Sequence, residues 1–164
     1  MIYYEEIFRA FQKQKVDYLI VGGIALNLLG SQRNTFDLDI VAELSDSNLR
    51  KIVTILKKRS YRAKIPSDPM GIANEKIRNN WIKNKHMKAL NFYRKDGRAE
   101  VDIVIMTLAS YSRMKTKRVF VKIKDLNLPV VSIDDLIKMK KKAGRLIDKA
   151  DIFELNNLKK YGGK

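Results

Sequence analysis

Three aspartates stand in runs that are otherwise apolar. Asp37 and Asp39 lie in FDLDIV at 36–41, and Asp102 lies in EVDIVI at 100–105. If 36–41 is a strand, period-two alternation puts both carboxylates on one face and Phe36, Leu38 and Ile40 on the other. At about 5 to 6 Å and an effective dielectric near 20 the pair repels by on the order of 3 kcal/mol, so a cation belongs beside it. Asp102 adds a third charge on a second strand. Three carboxylates on adjacent strands offer the hard oxygen ligands that Mg2+ or Mn2+ prefers, and such ions can serve an attacking oxygen and a triphosphate. Each piece has a plainer alternative: a solvated strand face for DxD, an edge strand for EVDIVI. Their coincidence in one chain favours the site.

The elements that would position these groups follow from periodicity. Tyr4, Ile7, Phe8 and Phe11 fall at helical spacing behind Glu5 and Glu6. Tyr18 to Val21 reads as a buried strand, Gly22-Gly23 as a turn, and Ile24 to Leu29 as a short helix stopped by Gly30. The glycine pair would let backbone approach a phosphate closely, with the helix amides behind it aimed at the same place. After the DxD strand, Leu49, Ile52, Val53 and Leu56 make an amphipathic helix capped by SDSN, and 61–65 reads as a strand before Pro66 and Pro69 break the chain. Residues 71–84 read as a helix with Ile72, Ile77 and Trp81 inward. KALNFYR and AEVDIVI flank Asp96-Gly97, a two-residue hairpin signal. Strands at 119–123 and 128–131 follow. Ser132 with Asp135 opens a helix that Gly144 ends, and a last helix from near Asp148 buries Ile152, Phe153 and Leu155.

The chain has 164 residues, 45% of them apolar, enough for one domain with a sizeable core. Without cysteine, disulfides, thiolate metal sites and cysteine nucleophiles are excluded, and a cytoplasmic address is expected. No apolar run is long enough for a membrane span. The lone histidine, His86 in NKHMK, reads as a surface residue, which argues against a histidine-based hydrolase, and GGIALNLLG lacks the spacing of the dinucleotide and P-loop phosphate cradles.

Net charge is +16 and unevenly spread: −3 over residues 1–49, +11 over 50–100 and +8 over 101–164. An acidic site in a broad positive field suits a nucleic acid or polyphosphate partner. The compositional alternative stays open, because lysine outnumbers arginine 23 to 11.

The glycine pair, the short helix, GSQRNTFDLD at 30–39 and the later strand aspartate resemble the nucleotidyltransferase superfamily with the polymerase-beta-like core. The stretch DLIKMKKKAGRLIDKADIFEL at 135–155 resembles the segment after this core in AbiEii-type toxin nucleotidyltransferases. The resemblance implies an α+β fold: a mixed β-sheet flanked by helices in a single domain over 1–164, with the core at about 16–131 and C-terminal helices at about 132–160. It implies Mg2+- or Mn2+-dependent transfer of a nucleoside monophosphate from a nucleoside triphosphate such as ATP. Asp37, Asp39 and Asp102 would be the catalytic metal ligands; Gly22, Gly23, Arg33, Thr35, Lys140 and Arg145 would bind the nucleotide. Many members carry Gly-Ser where this chain has Gly22-Gly23, so a hydroxyl contact is replaced by backbone amides or Arg33. The alternatives are a solvated helix face for Lys140 and a favourable helix N-terminus for Asp148 and Asp151.

Three functions fit these residues: nucleotidyl transfer to RNA, such as a transfer RNA end, within a toxin–antitoxin pair that includes a partner protein; the same chemistry on a protein or antibiotic-like small molecule; and a non-catalytic basic RNA-binding module.

Overall fold

In the computed structural model, which describes residues 4–95, 97, 99–107 and 109–162, seven strands form one mixed sheet. The order of elements is α1 (Glu5–Lys13), β1 (Tyr18–Val21), α2 (Gly22–Leu28), β2 (Asp37–Ala42), α3 (Asp46–Lys58), β3 (Arg62–Ala63), a 3-10 turn (Pro69–Ala73), α4 (Glu75–Asn84), β4 (Ala89–Tyr93), β5 (Glu100–Val104), α5 (Tyr111–Thr116), β6 (Val119–Ile123), β7 (Leu126–Val130), α6 (Ile133–Ala143) and α7 (Leu146–Tyr161). The sheet runs β3-β4-β5-β2-β1-β7-β6, with β2 parallel to β5, β1 parallel to β7, and the other pairs antiparallel. This is the expected α+β architecture with a mixed sheet and flanking helices.

Alternation sorts the two faces. Tyr18, Ile20, Leu38, Ile40, Val101, Ile103, Leu90 and Phe92 share one face and are buried in a single cluster with the inward residues of α1 and α3. Phe11 of α1 meets Tyr18 edge to face with ring centres 4.9 Å apart. Tyr4 ties this layer to the strand entrances: its hydroxyl donates to the Phe36 carbonyl and lies 2.8 Å from that of Glu100. The opposite face carries the acidic residues, and Leu136, Met139 and Lys140 of α6 come down beside Val21 and Asp39 on it.

The structure departs from the sequence reading at several points. Gly22 and Gly23 are the first turn of α2 rather than a separate turn. The strand expected at 61–65 is reduced to Arg62–Ala63. The helix expected over 71–84 is broken at Asn74, whose extended backbone separates the 3-10 turn from α4 and whose side chain accepts from Ile77 N to cap α4. Within α4, Ile77 is 43% exposed, its side chain lying with that of Trp81 over Gly71, and Arg78 is buried, where its guanidinium donates to the Ile72 carbonyl and to Asp46. Trp81 is buried as expected. Short α5, capped by Ser110, lies in a stretch left unassigned by periodicity. α7 starts two residues before Asp148, and Phe153 is 70% exposed while Leu155 is buried. β4 and β5 pair antiparallel as expected, though Asp96 of the hairpin signal lies outside the described residues. Among the described residues no helix is long and apolar enough to cross a membrane.

Candidate active site

The parallel pairing of β2 with β5 sets Asp37 opposite Glu100 and Asp39 opposite Asp102. Residues in register share a pleat, and strands lie about 4.8 Å apart, so four acidic side chains rise from one patch of one face. Asp37 is exposed, Asp39 and Asp102 half-buried. Burial, then repulsion from Asp102 and Asp37, pushes the Asp39 carboxyl up to about 7, with Arg145 and Lys140 pulling the other way. Asp102 is also raised, by burial first and by Glu100 and Asp37, against a hydrogen bond from Asn91. Among the described residues, negative charge is therefore gathered without a cation in contact with either Asp37 or Asp39.

Does this set fit a metal? All donors are carboxylate oxygens, the class that hard divalent cations take, and the missing countercharge is what such a cation would provide. As the side chains stand, though, no group of three or more acidic, histidine or cysteine residues among the described residues is gathered to enclose an ion. Donor type and face fit; convergence requires side-chain rotation, which exposed Asp37 is free to make.

The glycines are closely packed. Gly22 has φ +67, and a Cβ there would lie 1.9 Å from Asp39 Oδ2; a Cβ on Gly23 would lie 2.6 Å from Thr35 Oγ1. Both positions are therefore bare because the start of α2 is pressed onto the DxD strand and the loop before it. The pair first of all seats Asp39 and Thr35 against helix backbone.

The cations assigned to the triphosphate are present but engaged. Lys140, Arg145, Gly22, Asp39 and Val21 line a cavity of about 140 Å3. Lys140 is only 4% exposed and sits 2.6 Å from Asp151 and 3.7 Å from Asp148, which excludes the solvated-face alternative. Arg33 reaches from the loop before β2 to the same Asp151. Arg145 forks onto Asp148 through Nε at 2.9 Å and Nη2 at 3.1 Å, and its backbone N–H donates to Asp148 in a capping box at the start of α7. Burial alone would raise Asp148, but these hydrogen bonds from Arg145 hold it below the usual carboxylate range. Thus α7 supplies two buried aspartates that engage three cations from three different segments.

Sequence reasoning passed over Glu100, Asn91 and Lys64. Asn91 stands opposite Asp102, its amide donates to Asp102 and to Glu100 (3.1 Å), and Lys64 closes the row with a 2.6 Å contact to Glu100. Glu100 was discoverable, since ExD at 100–102 repeats the alternation of DxD at 37–39. Asn91 was not, because only strand register places it. A larger cavity of about 610 Å3 opens at the far end of β2 and β5, lined by Val41, Glu43, Tyr111 and Ser112 among others, and shares Val104 with the smaller one.

No protein-family model matches the sequence, and no curated protein resembles it closely enough to be matched. Solved structures do. The lincosamide antibiotic adenylyltransferase LnuA, in its lincomycin-bound structure, superposes with a TM-score of 0.65 at 17% identity over 94% of each chain. ANT(2'')-Ia in complex with adenylyl-2''-tobramycin gives 0.60 at 12% identity over 92% of this chain and 84% of that one. An antigenic nucleotidyltransferase-like protein from Paracoccidioides brasiliensis gives 0.55 at 18% identity over 95% and 75%. At these identities the likeness is one of fold: the chain has the nucleotidyltransferase fold.

Proposed function

We propose that this protein is a divalent-metal-dependent nucleotidyltransferase that moves a nucleoside monophosphate from a nucleoside triphosphate to an acceptor. The observation that carries the reading is the in-register pair Asp39 and Asp102, with Asp37 on the same face and, among the described residues, no cation in contact with the DxD pair. Asp37, Asp39 and Asp102 would hold Mg2+ or Mn2+, which supplies charge neutralisation at the triphosphate and activates the attacking oxygen. The acceptor oxygen forms a bond to the α-phosphorus, the bond from that phosphorus to the bridging oxygen breaks, and pyrophosphate leaves. Asp102 serves the attacking group and takes its proton.

The nucleotide contacts divide according to what each cation already touches. Arg145, whose side chain is 66% exposed, can turn from Asp148 to a phosphate, whereas Lys140 and Arg33 are held by Asp151 and act chiefly through their field. Gly22, Gly23 and Thr35 bring the amides at the start of α2 beside Asp39, where the triphosphate would lie.

For the acceptor we favour a small hydroxylated molecule. The cavity of about 610 Å3 beyond the carboxylates is of the size that encloses such a ligand, and two proteins of this fold are named with antibiotic ligands, lincomycin and adenylyl-tobramycin. A second reading, an RNA acceptor such as a transfer RNA end, rests on the net charge of +16; a toxin–antitoxin role with its partner protein stands or falls with it. One incubation separates them. Each labelled nucleoside triphosphate is supplied with Mg2+ or Mn2+, with and without total cellular RNA and a panel of hydroxylated small molecules. Label on a small molecule supports the first reading, label on RNA transfers the case to the second, and label nowhere in any arm overturns nucleotidyl transfer.

A further inference from the structure

The acidic face does not end at the aspartates. Across the β5/β4 ladder Asn91 faces Asp102, and its side-chain nitrogen spends both protons on carboxylates, one on Asp102 Oδ1 and one on Glu100 Oε2. Glu100 Oε1 in turn accepts from Lys64 Nζ. Lys64 is fixed by its own backbone, whose N–H donates to the Asn91 carbonyl at 2.9 Å. A continuous row, Lys64 to Glu100 to Asn91 to Asp102, thus runs from an edge-strand cation to the third aspartate.

The orientation of the Asn91 amide follows from this row. Turned over, it would aim oxygen lone pairs at two carboxylates, so the nitrogen must face them. The consequence is that Asn91 Oδ1 is buried and makes no hydrogen bond. A buried carbonyl left unpaired is a standing cost to the fold, set against the two charge-assisted hydrogen bonds that the amide nitrogen makes. What the amide achieves is to occupy one oxygen of Asp102; Oδ2 carries no hydrogen bond among the described residues. A neutral donor does this without neutralising the charge, whereas a lysine or arginine at position 91 would compete with any cation for Asp102.

We propose that Asn91 is a positioning residue that holds Asp102 by one oxygen so that the other is presented toward Asp39 as a ligand for a divalent cation. The proposal rests on the reading of Asp37, Asp39 and Asp102 as the metal-holding set. Hydrogen-bonded partners of metal-ligating carboxylates characteristically set metal affinity, with losses of about 10- to 100-fold when removed.

The test is Mn2+ binding, followed by electron paramagnetic resonance on the full chain without nucleotide, for the wild type, Asn91→Leu, Asn91→Ser, Asp102→Asn and Asn91→Leu with Asp102→Asn. Removing the donor should weaken Mn2+ about 10- to 100-fold. The double variant should bind no more weakly than Asp102→Asn alone, because Asn91 acts only through Asp102. Asn91→Ser, too short to span both carboxylates, should behave like Asn91→Leu and guards against a packing artefact. Wild-type Mn2+ affinity in Asn91→Leu, a further loss in the double variant, or no Mn2+ binding by the wild type overturns the proposal. Nucleotidyl transfer is judged separately by the labelling incubation, so a chain that binds Mn2+ through Asn91 and Asp102 yet labels nothing would lose the catalytic reading and keep this one.

Discussion

Two groups of aspartates lie within the electrostatic reach of Lys140 and Arg145, and the fold treats them in opposite ways. Asp148 and Asp151 on α7 are almost fully buried and are matched, contact for contact, by Lys140, Arg145 and Arg33. Asp37, Asp39 and Asp102 on β2 and β5 are more open, repel one another and, among the described residues, touch no cation, Asp102 taking a neutral amide. A chain with 34 basic residues had cations to spare for them. Closure of one group and restraint at the other mark the first as a structural lock and the second as a place kept for something that arrives from outside.

The sharpest way to break this comparison is to neutralise one member of each group. Asp39→Asn should abolish transfer for every acceptor while leaving the metal-free protein at least as stable as the wild type, because a repelled carboxylate has been removed. Near-normal turnover in Asp39→Asn or Asp37→Asn, or equal stabilisation of wild type and variants by Mg2+, would end the metal reading.

At the lock the expected loss is in stability. Lys140→Ala leaves Asp148 and Asp151 buried without their shared cation, a change that costs about 3 to 5 kcal/mol in comparable sites. Urea unfolding measures it. A cost under about 1 kcal/mol would mean that Lys140 is not structural, and its place at the triphosphate would be restored.

How much of this contrast was legible beforehand differs between the groups. Period-two alternation suffices to put Asp37 and Asp39 on one face, and adjacent apolar runs put Asp102 on a neighbouring strand; those are local properties. The strand slip that sets Asp39 against Asp102, rather than against Glu100, is a tertiary outcome. So is the burial of Lys140. On α6 it stands among Lys138, Lys141 and Lys142, all exposed; its spacing from Leu136 and Ile137 marks the inward face, but the docking of α7 that brings Asp151 to it is not written in that spacing. Phe153 failed for a related reason: which face of α7 is covered depends on the helix that packs against it, and α6 decides that.

Arg145 sits between the two groups, bonded to Asp148 yet lining the cavity that holds Asp39. Arg145→Lys keeps the charge and loses the fork that fits carboxylate or phosphate. A nucleotide role predicts a triphosphate KM raised about three- to tenfold, with a stability loss within about 1 kcal/mol because the side chain is exposed. An unchanged KM would confine Arg145 to the capping box.

The finest discrimination is by pH, where the two groups should carry opposite signs. The folded pKa of Asp39, about 7, lies above its value in the unfolded chain. Folded protein then holds a proton that unfolded protein has lost, so stability contributed by Asp39 falls as pH rises from about 4 to 7. Asp148 is shifted the other way, so its contribution is present above its ordinary pKa and is lost as pH falls below about 4. Thermal midpoints in EDTA, compared between wild type and each variant, isolate the two. The deficit of the wild type against Asp39→Asn should widen by about 5 to 10 °C between pH 5 and 8, the shift expected for roughly 2.5 kcal/mol in a chain of this size. Its advantage over Asp148→Asn should hold across that range and shrink only in acid. Parallel curves for Asp39→Asn and wild type would mean that its carboxylate is compensated after all, and the contrast between the two groups would close.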